Sequence, residues 1–161
     1  MAKTHMTLSD RVRIQTGLES KESFKDIAKA IGKDCTSVSR EVRKHVTVER
    51  KGCYGKGFND CRNKKVCHEV YDGCPSEQCK REKCCYCPSF CMTALCKSYV
   101  KEECEKLVRA PYVCNGCRSM SKCTLEKHLY KAEKAQKEYE DTLSGCRSGF
   151  AIAEEEAAEL G

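Results

Sequence analysis

Fourteen of the 16 cysteines in this 161-residue chain fall between Cys53 and Cys123. Gly73, Pro75, Pro88, Pro111, Asn115 and Gly116 recur among them, with no apolar periodicity. A stretch of this kind cannot enclose a hydrophobic core of its own, so cross-links or metal must organise it. Hydrophobic residues are 40% of the chain with cysteine included. Setting the cysteines aside leaves roughly 30%, thin for one continuous core, which favours small modules.

Compartment chooses between disulfides and metal. The opening Met1-Ala2-Lys3-Thr4-His5-Met6-Thr7 has no apolar secretory region, and no run approaches the roughly 18 apolar residues of a membrane span. A cytoplasmic protein keeps its thiols reduced, so the cysteines read as zinc ligands. The sharpest set is Cys104, Cys114, Cys117 and Cys123, in which Cys114-Asn115-Gly116-Cys117 forms a CxxC knuckle. Four thiolates make a closed, structural zinc site. Cys84, Cys87, Cys91 and Cys96 offer a second set, with Cys85 an alternative to Cys84, and Cys61, Cys67, Cys74 and Cys79 a third. Two or three structural zinc ions are expected, although interleaved sites leave the partition open. Cys53 and Cys146 are not needed, His68 reads as a surface histidine, and Cys35 as a small packed residue. A field of thiols does not fit a thiol oxidoreductase, which needs one isolated low-pKa pair.

Ahead of the cysteines, apolar residues recur at helical spacing between Thr7 and His45. Leu8, Val12 and Ile14 mark a first helix, with Thr7 its N-cap and Gly17 its stop. Ser23 and Asp26 resemble a capping box opening a second, whose stripe is Phe24, Ile27, Ala28 and Ile31. Gly32 ends it, and a third helix follows with Val38 and Val42 inward. Ala28 permits a close crossing, Gly32 a left-handed turn, and Val38 packs back. That order is a helix-turn-helix, whose second helix enters the major groove. Thr36, Ser37, Ser39 and Arg40 would meet base edges, Arg40 as a bidentate partner for guanine. Arg43, Lys44 and Arg11 or Arg13 would meet phosphates.

Behind the cysteines, Leu125, Leu129, Ala132, Tyr139 and Leu143 predict an amphipathic helix over 124–143, broken at Ser144-Gly145. A second, short acidic helix begins at Glu154-Glu155-Glu156 and stops at Leu160-Gly161, so the chain reads as cut short. Residues 1–60 carry 13 Lys/Arg against 8 Asp/Glu, residues 61–123 carry 12 against 7, and residues 124–161 carry 5 against 9. The basic two-thirds suits a polyanion, and the acidic remainder a solvated connector.

The expected architecture is therefore mainly α: a three-helix helix-turn-helix domain at 1–48, an irregular zinc-stabilised cysteine-rich region at 49–123, and a helical connector at 124–161. Several segments resemble the N-terminal region of the insertion sequence 30 family of bacterial transposases, cysteine-rich clostridia-like members above all. They are Thr7-Leu8-Ser9-Asp10-Arg11, Ser23-Phe24-Lys25-Asp26-Ile27-Ala28, Val38-Ser39-Arg40-Glu41-Val42-Arg43 and Pro111-Tyr112-Val113-Cys114-Asn115-Gly116-Cys117, followed by Tyr139 and Leu143-Ser144. The resemblance covers about residues 7–160 and departs at Cys85 and Cys146. It implies a bacterial, nucleoid-associated protein that binds double-stranded DNA at the terminal inverted repeats of a mobile element during transposition. The family's RNase-H-like domain, with two aspartates and a glutamate, has no counterpart here, so no enzyme activity is expected. The alternative is a zinc-scaffolded interaction module that acts on a full-length transposase or on a second copy of itself.

Overall fold

The structure, a computed structural model, describes residues 5–66 and 98–159. Cys67, Cys74, Cys79, Cys84, Cys85, Cys87, Cys91 and Cys96, and with them most of the second and third ligand sets and His68, lie outside the described residues. The chain divides into two compact units, one of Met1–Val46 with Tyr130–Gly161, the other of Thr47–Leu129.

The first unit is helical. α1 (Leu8–Glu19) starts at Thr7, whose hydroxyl accepts from the Asp10 amide while the Asp10 carboxylate accepts from the Thr7 amide, a complete capping box. α1 runs past Gly17, which is not its stop. Gly17 is instead a crossing point, because a Cβ there would lie 2.7 Å from Ile27 Cγ1. The buried stripe is Arg11, Ile14 and Leu18, while Leu8 and Val12 are exposed. α2 (Phe24–Ile31) is capped by Ser23 and ends at Gly32 in the left-handed region, φ 64°. α3 (Cys35–Lys44) buries Val38 and Val42 as expected. Cys35, read as a packed residue, is exposed at its first turn.

α4 (Ala132–Glu159) completes this unit by packing on α1. The helix expected over 124–143 is thus corrected at both ends. Its first part is a strand, and Ser144-Gly145 does not break it, since a 28-residue helix absorbs one interior glycine at about 1 kcal/mol. The start is set from outside, for Gln15 Oε1 accepts from the Ala132 amide at 2.9 Å and so satisfies a donor that helix ends leave open. Buried Ala132 and Ala135 then face the core.

The second unit begins and ends on a two-stranded sheet of β1 (Val46–Glu49) and β2 (Lys127–Tyr130). Among the described residues between them, the chain forms short 3-10 turns at Arg62–Lys65, Glu105–Val108 and Met120–Lys122. Among its described residues, buried polar side chains bonded to backbone accompany buried Cys61 and Val113. Lys127 is buried with Nζ donating to the carbonyls of Lys51 (2.6 Å) and Cys123 (2.9 Å). Asn59 and Thr124 bond reciprocally, the Asn59 amide to the Thr124 carbonyl and the Thr124 hydroxyl to the Asn59 carbonyl at 2.7 Å. Lys64 pairs with Glu102, and Arg50 with Glu126 at 2.9 Å.

Candidate nucleic-acid interface

The candidate interface is built on α3. With 3.6 residues per turn, Val38, Glu41, Val42 and His45 share its inner face, all buried except Glu41, which is nearly so. Thr36, Arg40, Arg43 and Lys44 form the opposite stripe and are exposed, with Ser37 and Ser39 half-buried on its flanks. Among the described residues nothing pairs with the Arg40 guanidinium or the Lys44 ammonium. Arg43 reaches back to the Ser39 carbonyl at 3.4 Å.

Glu41 is the one acidic residue within α3, and on the outer face it would repel phosphate. It is turned inward and neutralised. Arg11 Nε donates to Glu41 Oε1 at 2.7 Å, and the Tyr130 hydroxyl donates to the same oxygen at 3.3 Å. Arg11 Nη1 donates to the Met6 carbonyl (3.0 Å) and to Gln136 Oε1 (2.5 Å), and its guanidinium lies 4.9 Å from the Tyr139 ring centroid. His45 closes the cluster, its Nδ1 2.6 Å from Glu138 Oε2 and its Nε2 3.8 Å from Glu41 Oε2. Burial beside the Glu41 carboxylate pushes the Tyr130 phenol well above its ordinary value, so it stays a donor.

These contacts divide the expected DNA-facing residues. Thr36, Ser37, Ser39, Arg40, Arg43 and Lys44 come together on one helix face. Arg11 does not join them, because at 2% exposure it is a core residue and cannot contact phosphate. Arg13 is half-exposed and paired with Glu22 at 2.7 Å. Sequence reasoning missed Glu41, Tyr130, His45 and Gln136 as supports of α3. One signal was available for Arg11, which shares the i, i+3, i+7 stripe of Ile14 and Leu18, whereas Arg13 falls off it.

In the second unit, Cys61, Cys104, Cys114, Cys117 and Cys123 are all free thiols. The CxxC knuckle is turned as expected, the Cys117 amide donating to the Cys114 carbonyl at 2.9 Å across Gly116 at φ 70°. The Cys114 amide bonds the His128 carbonyl (2.5 Å), and the His128 amide donates to Cys114 Sγ (3.4 Å). Burial pushes the Cys114 thiol up, the His128 amide pulls it down, and the charges of Cys117, Cys104 and Cys123 push it up again. Among the described residues, no three Cys, His, Asp or Glu side chains converge closely enough to grip an ion as they stand. Nor is any helix among them long and apolar enough to cross a membrane.

Comparison with curated proteins finds no match, and comparison with solved structures finds none either. Residues 3–45 match the profile of a family described as a helix-turn-helix domain, and those residues enclose α1, α2 and α3. The first unit of this chain therefore carries a helix-turn-helix domain.

Proposed function

We propose that this protein binds double-stranded DNA sequence-specifically, with α3 in the major groove, at the inverted repeats that end a mobile element. The observation that carries the reading is the outward stripe of Thr36, Arg40, Arg43 and Lys44 on the second helix of a helix-turn-helix, with the helix's only carboxylate turned away and paired. Arg40 reads a base, and Arg43 and Lys44 hold phosphates. The transposase setting rests on the resemblance along residues 7–160. The protein recognises DNA without cutting it, a reading supported by the placement of Asp141 and Glu154–Glu156 on the single helix α4. It works in the cytoplasm of a bacterium, and the cysteine-rich region binds structural zinc.

The test is selection of bound duplexes from a random library, with Arg40→Ala as control. One enriched motif is expected, and the substitution should cost about 1–3 kcal/mol of site affinity and relax the motif at one position. Enrichment by the variant equal to that of the native chain would remove α3 from the groove. No enrichment by either protein would favour an interaction module acting on a full-length transposase.

A further inference from the structure

The segment that follows β1 forms a tight hairpin. Cys53 and Lys56 exchange both backbone hydrogen bonds, each 2.9 Å, and so close a two-residue turn of Tyr54 and Gly55. Gly55 takes φ 71°, a conformation that side chains disfavour. Gly52 lies so close to the returning chain that a Cβ there would fall 2.0 Å from the Lys56 carbonyl oxygen. At the base, buried Lys127 of β2 donates from Nζ to the carbonyls of Lys51 (2.6 Å) and Gly52 (3.4 Å). Two glycines and a buried ammonium thus fix this turn, and the side chain it carries outward is Tyr54, which is 100% exposed. Nothing in the turn requires an aromatic residue there, and an exposed ring contributes nothing to a core. A partner outside the chain would use both its apolar face and its hydroxyl.

Charge selects the partner. From Arg50 to Phe58 the chain carries Arg50, Lys51 and Lys56 and no carboxylate. Arg50 is taken up by Glu126, while Lys51 meets Glu49 at 2.9 Å in a surface pair of little strength. Lys56 is exposed, and among the described residues nothing pairs with its ammonium. Lysine is depleted from protein–protein interfaces, whereas lysine and tyrosine are both common partners of phosphate and sugar. Ten residues of chain separate Lys44, the last of α3, from Tyr54. Their covalent reach is at most about 35 Å, roughly one turn of a duplex. However the two units are arranged, the hairpin lies no farther than that from the end of α3. We propose that the hairpin is a second DNA contact, with Lys51 and Lys56 on phosphates and the Tyr54 ring against the neighbouring sugar. The proposal rests on the reading that α3 binds duplex DNA. It adds a contact from the second unit that strengthens binding without choosing the sequence.

The test measures, by fluorescence anisotropy, binding of the full chain to a duplex recovered from the random library and to an unrelated duplex. Each titration is repeated over a series of salt concentrations. Tyr54→Ala is expected to weaken both complexes by roughly fivefold, the effect of uncovering about half a ring, with Tyr54→Phe falling between it and the native chain. Lys56→Ala should lower the slope of log affinity against log salt by about 1. Because Tyr54 is wholly exposed, Tyr54→Ala should unfold at the native temperature, which separates a lost contact from a lost fold. It should also select the native motif, in contrast to Arg40→Ala. A native chain that binds neither duplex would overturn the DNA reading itself. Native affinity in Tyr54→Ala, or the native salt slope in Lys56→Ala, would overturn the hairpin contact alone. A changed motif in Tyr54→Ala would overturn its indifference to sequence.

Discussion

A buried guanidinium is tolerated only where its donors find partners, and Arg11 gives three of its five to Glu41, Met6 and Gln136. Removing it would strand the Glu41 carboxylate inside the unit. Arg11→Ala is expected to destabilise the first unit by about 3–5 kcal/mol in urea unfolding, whereas joint replacement of Arg11 and Glu41 by methionine should cost far less. Equal losses in the two variants would show that packing, not charge, is at stake. The residue scale is also where the sequence was least legible. Arg11 and Arg13 have the same chemistry two positions apart, yet one is in the core and the other at the surface. Only the phase of the helix separates them, and the cluster that accepts Arg11 draws on residues about 120 positions away.

Helix limits were legible wherever the chain signals them locally. Thr7, Ser23 and Gly32 carry their own capping or turn chemistry, and each delimits the helix it was expected to delimit. Signals that arrive from other elements were not legible. The start of α4 depends on Gln15 of α1, and Lys127–Tyr130 is a strand because β1 lies beside it. Gly17 and Gly145 make the same point, for both look like helix breakers and neither is. Gly17→Ala would press a methyl into Ile27 at the crossing of α1 and α2, so a loss of about 1–3 kcal/mol in thermal unfolding is expected. Gly145→Ala meets open space and should instead stabilise α4 by up to about 1 kcal/mol. Gains in both variants would show that the crossing has room to spare.

At the scale of the molecule, the three-helix segment matched as a helix-turn-helix is only part of its unit. α4, joined to it across roughly 80 intervening residues, packs on α1 and supplies partners to Arg11 and His45. Composition and charge marked the division between a helical part and a cysteine-rich part. They did not show that the acidic C-terminal stretch returns to the N-terminal helices, because a long-range pairing leaves no local pattern. A fragment ending at residue 48 is accordingly expected to lose the sharp thermal transition of the native chain and most of its DNA affinity. Fragment and native chain unfolding at the same temperature, by circular dichroism, would show that α4 contributes nothing to the unit.

That long return has a consequence in time. A ribosome adds about 5–20 residues per second, so roughly 80 residues separate the emergence of α3 from that of α4 by roughly 4–16 s. Helices and short loops form in microseconds or less, so α1, α2 and α3 meet long before α4 exists. Throughout that interval Arg11 and Glu41 have neither Gln136, Tyr130 nor Tyr139 to pack against. The first three helices thus pass through a half-covered stage on every round of synthesis, and the cysteine-rich segment is made during it.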